Sequence, residues 1–365
     1  MAMNYTRREV LQLAGAGALA WGWPGFSVAS TGKNSRLIVV ILRGGMDGLQ
    51  AVPAYGEPRF ASLRGSLSTG APGGEGSSLK LDGTFALHPE MKHCAQLYGA
   101  GQFLVVHAVA PPYRERSHFE AQDCLENGTA SPHLVRDGWL NRAAQQVPDA
   151  GCLAIADALP LILRGSVPAE TWSPSPLADV SAGLAERLKP LYARDERLNE
   201  SFHAALANGE STMGIQRAQG KQLPNAMRDA ARFMNTANGP RLVVVQDGGW
   251  DTHYGQSGML KRKLGGIDAA LKAAQDALGP LWKETAVVFA SEFGRTIRVN
   301  GSAGTDHGVG SVMLLAGGAV KGGRVLADWP GLEDKDMDEK RYLRATTDSR
   351  AVFKGVLRDH LGLPE

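Results

Sequence analysis

The chain has 365 residues, 43% of them apolar and 21% charged, with a formal net charge of +2. That composition suits a soluble globular protein with a sizeable core, and the near-neutral charge argues against nucleic acid or another polyanion as partner. The three cysteines, Cys94, Cys124 and Cys152, form neither a metal-spacing motif nor an even disulfide framework; at least two are expected as buried small hydrophobes, and one disulfide stays open.

The chain starts as an export signal. Arg7-Arg8 precedes an apolar stretch from Val10 to Trp23 that is too short and too glycine-rich to span a bilayer as a stable helix. Pro24 breaks any helix there, and Ser27-Val28-Ala29 offers the small residues a signal peptidase reads. Adjacent arginines before an apolar run are the twin-arginine address. Residues 1–29 are therefore expected to be a cleaved signal. The twin-arginine translocase would be a transient partner, the destination the periplasm or the cell exterior, and no lasting membrane anchor is expected.

Arg36 to Leu42 is an unbroken apolar, β-branched run, which predicts a buried central strand of a parallel sheet. Gly70 to Ser78 is a Gly/Ser-rich surface loop. A second strand is predicted at Gly101–Val109, helices at Ser117–Asn127 and Leu134–Val147, and a short strand region at Cys152–Leu163. Residues 175–239 are Ala-, Gln- and Arg-rich and predict a helical layer or insertion. A third strand follows at Arg241–Val245, a helix at Met259–Trp282, a fourth strand at Thr285–Ala290, a fifth at Gly310–Leu315, and a closing helix at Thr347–Leu361. Strands alternating with helices predict an α/β fold with a mostly parallel sheet covered on both faces, in one domain over residues 36–363.

In open α/β sheets, ligands bind beyond the carboxyl ends of the strands. Asp47 follows the first strand, and Arg116-Ser117-His118 follows the second. Asp247 and Asp251-Thr252-His253 follow the third, and Glu292 and Arg295 the fourth. Asp306-His307 precede the fifth. Each signal alone has a bland reading as turn former, helix cap or salt bridge, but together they bring carboxylates, imidazoles and a hydroxyl to one sheet edge. That mixture suits a divalent metal, zinc first, with manganese, magnesium and calcium as alternatives. A Ser hydroxyl beside such an ion becomes a nucleophile more easily, a helix N-terminus favours a bound anion, and an arginine clamps phosphoryl oxygens. Gly44-Gly45 lacks the spacing of a nucleotide-binding fingerprint.

The segments Arg43-Gly44-Gly45-Met46-Asp47-Gly48-Leu49, Arg116-Ser117-His118-Phe119, Gly249-Trp250-Asp251-Thr252-His253, Ser291-Glu292-Phe293-Gly294-Arg295-Thr296, Thr305-Asp306-His307-Gly308 and Thr346-Thr347-Asp348-Ser349-Arg350 resemble the exported domain-of-unknown-function 1501 family. More distantly the arrangement is similar to the alkaline phosphatase–like and sulfatase-like superfamily. The resemblance implies an exported metal-dependent hydrolase of phosphate or sulfate esters, acting on a small-molecule or polymer ester. Ser117 would be the nucleophile and Arg295 the anion clamp, with Arg43 and Arg116 as further clamp candidates. One metal would be held by Asp251, His253 and His307, and the other by Asp47, Ser117 and Glu292, with Asp247 and Asp306 as further candidates. Two departures stand out. Only Thr252 separates Asp251 from His253, and Phe293 stands after Glu292 where the superfamily has histidine. The second site is then short of a ligand, which His118 could supply. That shortage motivates an alternative, a non-catalytic exported accessory or binding protein that keeps the fold. A sulfatase proper is disfavoured, because neither Ser117-His118-Phe119 nor Cys124-Leu125-Glu126 supplies its modifiable-residue motif.

Overall fold

Side-chain alternation in the first strand, β1 (Arg36–Leu42), explains the layering. Ile38, Val40 and Leu42 enter one apolar cluster and Leu37, Val39 and Ile41 the other, on opposite faces of the sheet. All six are at most 1% exposed, and each aliphatic side chain so buried contributes about 1.5–3 kcal/mol of transfer free energy. A strand buried on both faces belongs in the middle of a parallel sheet. Accordingly β7 (Leu242–Asp247) and β8 (Thr285–Ser291) flank it, both parallel, with Ile38 opposite Val243 and Val287. The computed structural model describes residues 34–174, 182–196, 198–200, 202–203 and 222–364. The expected signal at 1–29 lies outside these residues, as does much of the 175–239 stretch.

The nine-stranded sheet has the order β10-β4-β9-β8-β1-β7-β5-β6, with β11 paired to β4. Its remaining strands are β4 (Phe103–Ala110), β5 (Cys152–Ile155), β6 (Ala169–Trp172), β9 (Ser311–Ala316), β10 (Arg324–Leu326) and β11 (Thr347–Asp348). A separate antiparallel pair joins β2 (Leu79–Lys80) to β3 (Ala86–Leu87). Within the large sheet β9 runs against both its neighbours, β4 and β8. The residues before β9 therefore reach the same edge as the residues after the parallel strands, which is why Asp306-His307 precede their strand while the other candidates follow theirs.

Helices cover both faces. α3 (Lys92–Gly99), α7 (Leu223–Met234) and α8 (Gln256–Leu278) pack on the face of Ile38, through residues such as Cys94, Met227 and Leu264. α4 (His118–Asn127), α5 (Trp139–Ala144) and α9 (Ser349–Leu361) pack on the other, through Leu125, Leu140 and Phe353. Two short helices, α1 (Gly48–Ala51) and α2 (Phe60–Arg64), follow β1, and α6 (Ala182–Tyr192) lies in the expected helical layer. α5 is shorter than the sequence suggests, because Gly138 is extended and its N–H donates to the Arg164 carbonyl at 2.8 Å. The last helix starts at Ser349, where the Asp348 carboxylate accepts from the Arg350 N–H and caps it. Cys94, Cys124 and Cys152 are all free and buried. Among the described residues no helix is long and apolar enough to cross a membrane.

Candidate metal centre

Beyond the carboxyl end of β1 the chain turns through Gly44, whose φ is +123°. A Cβ there would stand 2.4 Å from the Asp251 backbone nitrogen, so only glycine lets the first turn press against the loop after β7. Gly304 does the same for the segment before β9, since its Cβ would meet the His253 backbone at 2.2 Å. These close approaches bring three segments together: the turn after β1, the loop after β7 and the residues before β9.

Three imidazoles and one carboxylate meet where those loops converge. His307 Nε2 lies 3.0 Å from His118 Nε2, 3.1 Å from His253 Nε2 and 3.2 Å from Asp251 Oδ1. Asp251 Oδ1 is 2.9 Å from His253 Nε2, and its Oδ2 is 3.4 Å from His118 Nε2. His118, Asp251 and His307 alone form a metal-competent group among the described residues. Each ring has its Nδ1 turned to an acceptor. His118 Nδ1–H donates to Glu292 Oε1 at 2.8 Å, His307 Nδ1–H donates to the Arg116 carbonyl at 3.0 Å, and His253 Nδ1 faces Asp306 Oδ1 at 3.6 Å. That leaves the Nε2 lone pairs converging on one another and on a carboxylate. A shared proton satisfies one such contact; a metal ion satisfies those among His118, Asp251 and His307 together. The spacing agrees, because a tetrahedral ion with arms of about 2.0–2.1 Å separates its ligand atoms by about 3.3 Å. Imidazoles whose second nitrogen donates to carboxylate or carbonyl are the usual orientation of metal-bound histidine. The residues thus fit a divalent metal ion.

The electrostatics of Asp251 and His307 support the same roles. Burial pushes the Asp251 carboxyl up, but the hydrogen bond and charge of Arg295, 2.5 Å away, outweigh it and hold Asp251 below its ordinary value. Burial also raises Glu292, and donors from His118 and Gln122 more than reverse that. Glu292 is 0% exposed, and its oxygens accept from the Gly44 N–H (2.8 Å), Gln122 Nε2 (2.9 Å) and Ser291 Oγ (3.0 Å) besides His118. The hydrogen bond to Glu292 in turn raises His118. Burial and the neighbouring His118 and Arg295 lower His307, which favours its neutral, ligating form.

Several expected residues stand elsewhere. Asp47 is outside the cluster: its Oδ2 accepts from Arg64 Nη2 at 2.6 Å and its Oδ1 from the Gln50 N–H at 3.1 Å. Glu292 orients His118 instead of pairing with Asp47. Arg295 is buried and saturated by Asp251, the Gly44 carbonyl and Thr305, which leaves no fork for an anion. Arg43 is likewise held by Gln246, Gln122 and Glu126. Asp247 binds Lys263 and the Trp250 indole N–H. Asp306 binds Arg341 and Asn300, and the Asn300 bond leads the causes that lower its carboxyl. Ser117 occupies the N-cap of α4 without a side-chain capping bond. Arg116, at φ +60°, has a guanidinium that is 31% exposed over the Tyr342 ring. His118, which the sequence offered as the ligand missing from the second site, stands instead with Asp251 and His307, residues expected to form the first.

The sequence model of a family described as "Protein of unknown function (DUF1501)" matches residues 34–364. No functionally curated protein matches the chain. Among solved structures, the C-terminal periplasmic domain of EcEptC from Escherichia coli in complex with Zn aligns at 10% identity and TM-score 0.39, covering 81% of this chain and 77% of that one. Phosphonate monoester hydrolase of Agrobacterium radiobacter aligns at 12% identity and TM-score 0.41, covering 90% and 74%. Alkaline phosphatase from the Antarctic bacterium TAB5 aligns at 10% identity and TM-score 0.40, covering 91% and 99%. Identity at this level leaves the chemistry to be argued from this chain's own side chains.

Proposed function

The chain belongs to the DUF1501 family, and from that premise we propose that it is a metal-dependent hydrolase of phosphate or sulfate esters. The observation that carries this is the convergence of His118, Asp251 and His307 at the spacing of a tetrahedral ion's ligands, with His253 beside Asp251 and His307. His118, Asp251 and His307 would hold the metal, with zinc the best match to two nitrogens and an oxygen and a fourth position left for water or ester. When bound, such an ion polarises an ester oxygen and lowers the pKa of an adjacent hydroxyl. Ser117, next to His118, is the nucleophile that attacks phosphorus or sulfur. The first N–H groups of α4 and the half-exposed Arg116 receive the charged oxygens. Glu292 holds the His118 ring, and Arg295 holds Asp251, so neither needs to touch the ester. On the strength of Arg7-Arg8 and the apolar stretch after them, the protein acts outside the cytoplasm.

The test is metal content of the purified chain by mass spectrometry, with a screen of phosphomonoesters, phosphodiesters and sulfate esters. His307→Ala should lose the ion, whereas Ser117→Ala should keep it and lose turnover. An ion-free wild-type protein, or turnover that survives Ser117→Ala, would defeat the mechanism. A second reading, an exported binding protein with one metal, is favoured by the way Asp47 and Arg295 are already engaged with protein partners. A bound ion without turnover of any ester would select it.

A further inference from the structure

We propose that the centre is mononuclear and that Asp47 is a positioning residue, its carboxylate paired with the Arg64 guanidinium where a second metal would otherwise be bound. This rests on the metal reading above and adds a stoichiometry and a role to it.

The pair is built to stay closed. Arg64 and Asp47 are 0% and 1% exposed. Arg64 Nη1 donates to the carbonyls of Thr296 (3.3 Å) and Ile297 (2.9 Å), and Nη2 donates to Gln50 Oε1 (3.0 Å) as well as to Asp47. A guanidinium does not lose its proton in proteins. It therefore cannot make way for a cation by titrating, and its carbonyl cage gives it nowhere else to go. A dication placed on Asp47 would face that fixed charge in a desolvated setting, where like charges repel strongly. Glu292, the other carboxylate a second metal would need, has Oε1 occupied by three N–H donors.

The pair also reaches the metal ligands through a directed chain of hydrogen bonds. Asp47 can only accept, so it fixes the Gln256 amide with Nε2 donating to Asp47 Oδ2 at 2.5 Å. Gln256 Oε1 then accepts both the Thr252 hydroxyl (2.8 Å) and the Thr305 hydroxyl (2.5 Å). With its proton committed, Thr305 Oγ1 presents a lone pair to Arg295 Nε at 3.2 Å. Arg295 Nη1 in turn donates to Asp251 Oδ1 at 2.5 Å. Reversing any of these donors would turn Arg295 away from Asp251. Gln256, Thr252 and Thr305 are all 0% exposed, so water does not substitute for a missing partner.

The experiment uses the full chain, loaded with zinc, desalted, and assayed for metal per protein. The expected ratio is one, falling to near zero in His307→Ala. Asp47→Asn keeps the acceptor oxygen and is expected to retain one zinc, bound about tenfold more weakly, as loss of an outer-shell partner does. The visible absorption of its cobalt-substituted form should shift, because Asp251 is no longer oriented as before. Gln256→Leu, which leaves the Asp47–Arg64 pair intact, should show the same shift and guards against an Asp47 variant that fails to fold. Two zinc ions per chain, falling to one in Asp47→Asn, would overturn the proposal. Unchanged zinc affinity and an unchanged cobalt spectrum in both variants would overturn the positioning role. A wild-type ratio of zero would overturn the metal reading itself, and this inference with it.

Discussion

Replacing Arg64 by methionine removes the buried cation that pairs with Asp47 while keeping most of the side chain's apolar stem. The two partners are 0% and 2% exposed at their side chains and 2.6 Å apart. Asp47 would keep only the Gln256 amide and the Gln50 N–H as donors, so a carboxylate would remain buried without a counter-charge. Breaking a buried pair from one side in this way costs about 3–5 kcal/mol. Set against a total stability of about 5–15 kcal/mol for a natural protein, that is a fifth or more of the whole. Urea unfolding, followed by circular dichroism on the metal-free protein, should show a large fall in midpoint at unchanged slope. Adding Asp47→Asn to Arg64→Met removes the stranded charge and should restore more than half of the loss, giving a coupling energy in a double-mutant cycle. A cost below about 1 kcal/mol for Arg64→Met, typical of exposed pairs, would refute the claim that this pair is dry and closed.

Other outcomes follow from the same geometry. Glu292→Gln replaces an oxygen that receives Gly44, His118 and Gln122; zinc affinity should fall about 10–100-fold in chelator competition, and an unchanged affinity would show that Glu292 does not orient His118. Gly44→Ala forces a Cβ to 2.4 Å from Asp251 N at φ +123°, so it should cost about 2 kcal/mol or more in thermal unfolding and lose retained zinc. His107 is held down to about 4 by burial, against the Val52 carbonyl and Asp47, which pull it up. Its unfolded value is about 6.5, so between these limits the unfolded chain binds more protons, and stability should fall as the pH is lowered through that window, by up to about 3 kcal/mol. His107→Gln should flatten part of that slope in urea midpoints taken from neutral pH down to about 4.5. His88, lowered to about 4 by the same cause, adds to that slope, as do His307 and His360, which burial also lowers.

The sheet was legible because apolar periodicity is a local signal. The unbroken run of β1 and its counterparts at β7 and β8 sit where the sequence puts them, within two residues at each end. Short strands such as β6, β10 and β11 carry too few side chains for a period to show. At the site, the sequence named the residues but not their partners. Asp47 has the position of a ligand, yet its fate is decided by Arg64, in a short helix with no motif around it. Arg295 reads as an anion clamp only while its burial is unknown; at 2% exposure with every nitrogen donating, it is a brace. His118 looked secondary beside Ser117, because which of two adjacent residues turns inward depends on the helix's entry angle, and residue types do not encode that angle directly.

The pairing of β1 has a consequence during synthesis. Its neighbours in the sheet start at Leu242 and Thr285, so Leu37 meets Leu242 across 242 − 37 = 205 residues of chain. At about 5–20 residues per second, roughly 10–40 s pass between the ribosome releasing this strand and releasing its partners. Throughout that interval a seven-residue segment, six of whose residues end fully buried, has both edges and both faces unsatisfied. The nascent protein is therefore a natural client for a holding chaperone, and β1 is the segment it would be expected to grip.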